Sequence, residues 1–264
     1  MLSFGPVRVR TLPIRGASAV AAIPGGLLVV DDDKGILRVA GGRAALWAGR
    51  DDHAALGDLE GLATDETHRI VWAVAEENGA VIALRLRGGL RRPTLVGHLP
   101  RPGTRKNKGF EGLAFMPARL SPSRCASLVV VNEHKPRRVQ LFALPALTLT
   151  HDLKLPGRLK DLLDDLSDVT VDPVTGALLL LSDQSRRIAV AEIVDQSLVL
   201  LGSYDLPLSR SQKPEGLDFR SPSQLLVVMD DSGKLLEIGV RRASADPRLR
   251  SKNAVKTDIE RNDL

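Results

Sequence analysis

Acidic side chains recur at similar spacing along this 264-residue chain, each beside a small residue and close to a short apolar run. They are 51, 57 and 47 residues apart, at Glu60, Glu111, Asp168 and Glu215. Such a period is typical of propeller blades, whose equivalent positions converge on one channel. Converging carboxylates repel one another, so they require a cation or must take up protons at raised pKa. Oxygen donors favour calcium over zinc, because His and Cys are scarce here.

A second acid follows the second apolar run of each unit. This set comprises Asp32, Glu77, Glu133, Asp183 and Asp231. In an antiparallel blade the second strand returns to the face where the first begins, so we expect both sets on one face. Turn formation is the competing interpretation of the second set, because hairpin signals such as Asn78-Gly79 and Ser232-Gly233 lie beside these acids.

The first set of acids also has a purely structural interpretation. A carboxylate at the start of an inner strand can accept backbone N–H groups from the neighbouring blade, and a Gly beside it permits close approach. A carboxylate has several acceptor sites, so blade joining and cation binding can coexist.

The elements that would position these acids form a repeating unit. Each acid is followed by short apolar runs with turn residues between them, which is the pattern of antiparallel strands. A unit around Ser18 lacks the acid but keeps the pattern, which gives five units. Alternation in Pro6–Leu12 predicts a strand that completes the last unit and closes the ring.

The sequence therefore predicts an all-β fold, a five-bladed β-propeller with four-stranded antiparallel blades. Six blades are the alternative if one long unit hides another. The propeller is expected to occupy residues 1–240 as one domain. The polar and basic residues 241–264 are expected to form a flexible tail.

Composition bears on the cellular location. No apolar run reaches the roughly 18 residues that a membrane-spanning helix needs. The single cysteine, Cys125, cannot form an internal disulfide, which suits a reducing compartment. No signal-peptide pattern follows Met1. As the sequence is written, we expect a cytoplasmic protein.

The net charge of +5 raises the question of nucleic acid, since 37 Lys and Arg stand against 32 Asp and Glu. The basic residues are scattered and aromatic residues make up only 3% of the chain, whereas single-strand binding needs stacking platforms. Nucleic acid is therefore an unlikely partner. One dense basic segment, Arg101–Lys108, precedes Glu111 and could bring cations to the channel.

Three blocks carry a family resemblance: Asn107–Phe115, Asn132–Arg138 and Asp165–Arg187. They resemble the bacterial SdiA-regulated (YjiK-like) β-propeller family, over about residues 15 to 240. The resemblance implies a propeller with a calcium link and without assigned catalysis. Members usually carry an N-terminal export or anchor segment, and this sequence departs from them in that respect.

A second resemblance covers a single blade. Asp58–Gly79 is similar to propellers of the esterase-like phytase group, which implies metal-dependent hydrolysis of an ester or phosphoester. In that alternative the channel cation would activate water, while Lys108, His134 or Arg137 would hold the anion. No recognisable nucleophile or base dyad accompanies these residues.

We expect a calcium-binding propeller that acts as a binding or regulatory module. Its metal ligands would be the first set of acids. A small anionic ligand or a protein partner would bind the same face through Glu77, Glu133, Asp183 and Asp231 with Lys108, His134 and Arg137. The alternatives are the phytase-like hydrolase and a scaffold without a ligand.

Overall fold

The computed structural model describes residues 2–49, 58–76, 78–86, 93–100, 109–133, 136–230 and 232–242. Within these residues the chain forms five separate four-stranded antiparallel sheets and one short helix. The sheets are the blades of a five-bladed β-propeller, which confirms the predicted fold and blade number. No helix of the described part is long and apolar enough to cross a membrane.

The elements follow the chain in blade order. Strand β1 (Leu2–Thr11) comes first and belongs to the last blade. Blade 1 contains β2 (Ala17–Ile23), β3 (Gly26–Asp31), β4 (Gly35–Ala40) and β5 (Arg43–Gly49). Blade 2 contains β6 (Leu59–Thr64), β7 (Ile70–Ala75), β8 (Ala80–Arg85) and β9 (Thr94–His98). Blade 3 contains β10 (Phe110–Met116), β11 (Ser127–Asn132), β12 (Arg138–Ala143) and β13 (Thr148–Lys154).

Helix α1 (Gly157–Leu162) connects blade 3 to blade 4. Blade 4 contains β14 (Asp168–Val171), β15 (Leu178–Ser182), β16 (Arg187–Val194) and β17 (Ser197–Asp205). Blade 5 contains β18 (Pro214–Ser221), β19 (Gln224–Met229), β20 (Lys234–Arg242) and, on its outer edge, β1.

Ring closure depends on the first strand of the chain. β1 pairs antiparallel with β20, from Leu2 opposite Arg242 to Thr11 opposite Lys234. The N-terminal strand therefore completes the last blade, as the alternation of Pro6–Leu12 predicted. β20 continues to Arg242, two residues past the predicted end of the domain at 240. Residues 243–264 of the predicted tail lie outside the described residues.

Five apolar clusters hold the ring together, one between each pair of neighbouring blades. The second strands of the blades are covered on both faces, so Ser127–Asn132 and Leu178–Ser182 are buried throughout. Outer strands are less buried, and in Thr148–Lys154 the last four residues alternate between buried and exposed positions. The continuous apolar runs in the sequence are therefore the middle of each blade, where burying both faces stabilises the fold most.

The inner strands β2, β6, β10, β14 and β18 contact one another around the channel. Glycines permit this close approach. A Cβ on Gly61 would lie 2.6 Å from Leu113 Cβ, and one on Gly216 would lie 2.9 Å from the backbone nitrogen of Val20. The small residue after each Glu is thus a packing requirement between blades, as the structural interpretation of the motif predicted.

Candidate functional site

A cavity of about 200 Å³, here called the acidic cavity, opens at the mouth of the channel where the inner strands begin. Eight carboxylates and two hydroxyls line it, from Ser18, Asp32, Glu60, Glu111, Glu133, Asp165, Ser167, Asp183, Glu215 and Asp230. No Lys, Arg or His of the described residues lies in this lining. The two predicted sets of acids therefore meet largely on one face.

A backbone irregularity at the start of the inner strands places the first set. The pairing registers skip Ser18 in β2, Glu60 in β6, Glu111 in β10 and Glu215 in β18. Each skipped residue is the extra residue of a β-bulge, a feature that redirects a side chain out of the regular alternation. The same local irregularity in four blades thus brings three glutamates and a serine to the cavity.

Asp168 was predicted as the fourth member of this ring, and the structure places it apart from the three glutamates. The cavity position in blade 4 belongs to Ser167, one residue earlier. Asp168 occupies the position that Gly61, Gly112 and Gly216 hold in other blades, and it is 2% exposed. It does not line the cavity.

The Asp168 carboxylate instead joins three blades. Its Oδ1 accepts the N–H of Val169 at 2.7 Å, and its Oδ2 accepts the N–H of Leu217 in blade 5 at 2.6 Å. The N–H of Leu113 in blade 3 is a further donor. Blade joining, one of the two interpretations of the first set, therefore describes Asp168.

The second set follows the ends of the second strands. Asp32, Glu133, Asp183 and Asp230 each come directly after β3, β11, β15 or β19 and line the cavity. Asp230 was missed, because the prediction took Asp231 as the blade 5 residue. Asp231 and Glu77 lie outside the described residues. Counting from the last apolar residue of each strand would also have selected Asp231, because Asp32, Glu133 and Asp183 stand two residues after it and Asp230 stands one residue after Met229.

Asp165 is a second cavity residue that the sequence argument missed. It lies between α1 and β14, outside the repeating pattern, and is 2% exposed. Its carboxylate accepts the Ser182 hydroxyl and the N–H of Gln184, at 3.2 Å to Oδ2. The acid pair Asp164-Asp165 in the sequence was the only signal for it.

The three ring glutamates, Glu60, Glu111 and Glu215, have strongly raised pKa values. Burial is the largest cause, and the neighbouring carboxylates add to it. The pKa of Glu60 is raised to about 9, that of Glu111 to about 10 and that of Glu215 to about 8. The ring therefore holds protons near neutral pH when no cation is bound.

Neighbouring acids contribute to this electrostatic field. Burial raises the pKa of Asp183 to about 6, aided by the charge of Asp165 and opposed by Lys213 and Arg186. The pKa of Asp32 is also raised by burial, against the effect of its Ser18 hydrogen bond. Lys213 lowers the pKa values of Asp183 and Glu215, and Arg186 lowers that of Asp183, so these two cations act on the blade 4 and 5 side of the cavity.

The remaining predicted ligand residues are not assembled with the carboxylates. Lys108 and His134 lie outside the described residues. Arg137 does not line the acidic cavity, and its Nη1 is buried without a hydrogen-bond partner among the described residues. The anion-holding group expected from these three side chains stays a prediction.

The donor set fits calcium in chemistry, since every lining side chain offers oxygen. However, no three His, Cys, Asp or Glu side chains in the described parts of the chain are grouped so that they could hold a metal ion. A bound ion would therefore require these carboxylates to move closer together. The ring glutamates make no hydrogen bond or ion pair with a described residue that would prevent such movement.

The fold and the acidic mouth define the class of this protein, a five-bladed β-propeller with a carboxylate-lined channel. Residues 98–228 match the family model of SdiA-regulated proteins, which confirms the family resemblance predicted from the sequence. A search of curated protein sequences found no match.

Three solved structures show the same fold at 11% to 12% sequence identity. A protein of unknown function from Bacteroides thetaiotaomicron has a TM-score of 0.57 at 11% identity, over 91% of this chain and 77% of that one. Myxococcus xanthus glutaminyl cyclase has a TM-score of 0.59 at 11% identity, over 90% and 97%. The PQQ-bound aldose sugar dehydrogenase of Streptomyces coelicolor has a TM-score of 0.56 at 12% identity, over 89% and 99%. At these identities the likeness shows the fold alone.

Proposed function

We propose that this propeller is a binding module whose acidic cavity takes up a cation, with calcium as the leading candidate. Through that cation it would hold a small anionic ligand or a protein partner. The observation that carries the proposal is the lining of the acidic cavity, where eight carboxylates share about 200 Å³.

Electrostatic repulsion within the cavity supplies the driving force. The carboxylates of Glu60, Glu111 and Glu215 are largely buried. The charges of Glu60 and Glu215 raise the pKa of Glu111, and the charges of neighbouring aspartates raise the pKa values of Glu60 and Glu215. A divalent cation would relieve this repulsion, and protons would compete with it for the same oxygens. Calcium accepts about 6 to 8 oxygen ligands in flexible geometry, which suits a ring that must contract around the ion.

The charge of the cavity disfavours the phytase-like alternative. A phosphate ester is an anion, and the described lining offers it carboxylates and hydroxyls only. Lys108 and His134, which would hold such an anion, are outside the described residues, and Arg137 is not in the lining. The hydrolase therefore remains an outcome of the experiments rather than a second proposal.

The test is calorimetric titration of chelator-treated protein with calcium, magnesium and manganese. At calcium about one hundred times its dissociation constant, the free energy of unfolding should rise by roughly 2.7 kcal/mol. Glu111→Gln and Glu215→Gln should remove most of that gain, because they keep the shape and delete charge. Glu192→Gln, at an exposed position of β16, removes the same charge far from the cavity and should leave the gain intact.

Two outcomes would overturn the proposal. Absence of binding by all three ions would leave the propeller as a scaffold at this face. Hydrolysis of phosphate or carboxylate esters that stops on chelation and returns with the ion would favour the hydrolase instead.

A further inference from the structure

A second cavity, here called the distal cavity, lies at the opposite mouth of the channel and has a volume of about 270 Å³. Residues near the ends of four inner strands line it, including Thr64, Phe115, Val171 and Phe219. The acidic cavity takes residues from the beginnings of the same strands. The two cavities are therefore separated by the length of the inner strands.

The walls of the distal cavity combine aromatic and apolar side chains with polar ones. Phe115 of β10 stacks on Trp72 of blade 2, with ring centroids 5.1 Å apart and planes at 5°. Phe219 of β18 has the Arg242 guanidinium 5.9 Å from its ring centroid. Leu62 and Leu113 complete the apolar surface. Two rings fixed by neighbouring groups offer a flat molecule preformed contact surface.

Guanidinium groups hold the rim of this cavity in place. Arg119, in the loop after β10, pairs with Glu66 of blade 2 and donates to the carbonyl of Pro173 in blade 4 at 3.1 Å. One side chain thus links the turns of three blades. Arg220 donates to Glu237 at 2.9 Å, and Arg10 donates to the same oxygen at 3.1 Å.

The two aspartates that line the distal cavity already have donors, whereas its guanidinium groups keep spare N–H groups. The Asp218 carboxylate already accepts the N–H of Ala22 at 2.7 Å, the N–H of Phe219 and the Thr170 hydroxyl. Asp65 likewise accepts three local donors. Arg119 and Arg220 each retain N–H groups without a partner among the described residues. A guanidinium with spare donors recognises a carboxylate through charge-assisted hydrogen bonds.

We propose that the distal cavity binds a small aromatic carboxylate. The ring of the ligand would contact Phe115 and Phe219, and its carboxylate would meet Arg119 at the rim. The volume suits a molecule of one or two rings, since sites for larger organic ligands begin at about 300 Å³. This site is independent of the cation proposed for the acidic cavity.

The experiment is ligand-observed NMR on the full chain with three matched probes, benzoate, benzamide and cyclohexanecarboxylate. Benzoate should bind most tightly. Benzamide, which keeps the ring and lacks the charge, should bind at least about tenfold more weakly. Cyclohexanecarboxylate should also bind more weakly, because it cannot stack on the two rings.

Variants locate the site. Arg119→Gln should weaken benzoate binding about tenfold or more, whereas Arg138→Gln, which breaks an ion pair with Asp152 outside the cavity lining, should not. Ser221→Trp should block binding without removing an ion pair, so the proposal stays testable if Arg119→Gln fails to fold. Glu111→Gln, at the other mouth, should leave benzoate affinity unchanged.

Three results would overturn the inference. They are no binding of benzoate, equal binding of benzoate and benzamide, and benzoate binding that survives Ser221→Trp. Since no cation takes part, failure of calcium binding and failure of benzoate binding are separate results.

Discussion

Two groups of buried carboxylates lie on the inner strands, and they differ in what surrounds them. The ring glutamates Glu60, Glu111 and Glu215 face other carboxylates, whose charges raise their pKa values beyond the effect of burial. Asp168 is fully buried and Asp218 is partly exposed, and backbone N–H groups oppose the effect of burial on the pKa values of both. Burial alone therefore does not identify a functional carboxylate.

The difference lies in which partner each carboxylate has within the fold. Asp168 bridges to the N–H of Leu217, and Asp218 bridges to the N–H of Ala22, so each ties its strand to the next blade. The ring glutamates have no such donor among the described residues, and bulges direct them to the channel. The first kind joins neighbouring blades, and the second kind lines the acidic cavity.

The largest expected effect is the loss of the Asp168 side chain. Asp168→Ala leaves buried N–H groups of Val169, Leu217 and Leu113 without an acceptor, and each unsatisfied donor costs about 1 to 3 kcal/mol. We expect the free energy of unfolding to fall by about 3 kcal/mol or more, measured by urea denaturation. Ser167→Ala, one residue earlier, is the control and should cost much less.

Asp168→Asn sharpens the comparison because it keeps one acceptor oxygen. It should destabilise less than Asp168→Ala and should leave the calcium dissociation constant unchanged. A loss of calcium affinity at unchanged stability would show that Asp168 is a metal ligand after all.

The next largest effect concerns the close contact beside Asp168. A Cβ on Gly112 would lie 2.5 Å from both the Cα and the Oδ1 of Asp168, so Gly112→Ala forces blades 3 and 4 apart. Overpacking of this kind costs about 1 to 3 kcal/mol. Gly202→Ala is the matched control, since a Cβ there meets nothing within 4 Å. Equal melting temperatures for the two variants would contradict the joining role of this position.

The fold was accessible from the sequence because the repeat is regular. An acid beside a small residue and followed by apolar runs returns in four of the five units, and the alternation of Pro6–Leu12 predicted the closing strand. The site was accessible only in part, because a bulge shifts the side-chain alternation by one residue. In blade 4 the cavity residue is Ser167, whereas the sequence argument selected its charged neighbour Asp168.

Other parts of the structure had no sequence signal of that kind. Asp165 lies in a connection outside the repeat, so no spacing could indicate it. The distal cavity is lined by residues such as Leu62 and Phe115, which read as ordinary core strands until the inner strands are placed side by side. Contacts between neighbouring blades, such as that of Arg119 in blade 3 with Pro173 in blade 4, depend on how the blades are placed side by side.

A smaller effect is expected from pH in the cation-free protein. The ring glutamates have folded pKa values of about 8 to 10, above the ordinary value of 4.5, so the folded state binds more protons than the unfolded state between these limits. Stability is then greatest below about pH 4.5 with respect to these groups and is lost as pH rises towards the folded pKa values.

Urea denaturation in the presence of a chelator should show this loss between pH 5 and pH 8. A difference of one pKa unit in one group corresponds to about 1.4 kcal/mol, and we expect a loss of at least that size. Asp218, which joins blade 5 to blade 1, has a pKa of about 6 and therefore contributes to this loss of stability only in the acidic part of the window. Stability that is flat across the window would mean that the ring glutamates do not converge.

The smallest effect is that of Glu111→Gln in the absence of a cation, and its sign is opposite to that of Asp168→Ala. At pH 8 folding of the parent requires Glu111 to take up a proton, because its pKa rises from 4.5 to about 10. Glutamine needs no proton, so the variant should recover part of the pH-dependent loss and melt slightly above the parent. At pH 5 the two proteins should melt almost alike. Saturating calcium should reverse the order at pH 8, because the parent then gains a ligand that the variant binds poorly. If the variant is instead less stable than the parent at pH 8 without calcium, the Glu111 carboxylate must accept hydrogen bonds from the protein, as that of Asp168 does.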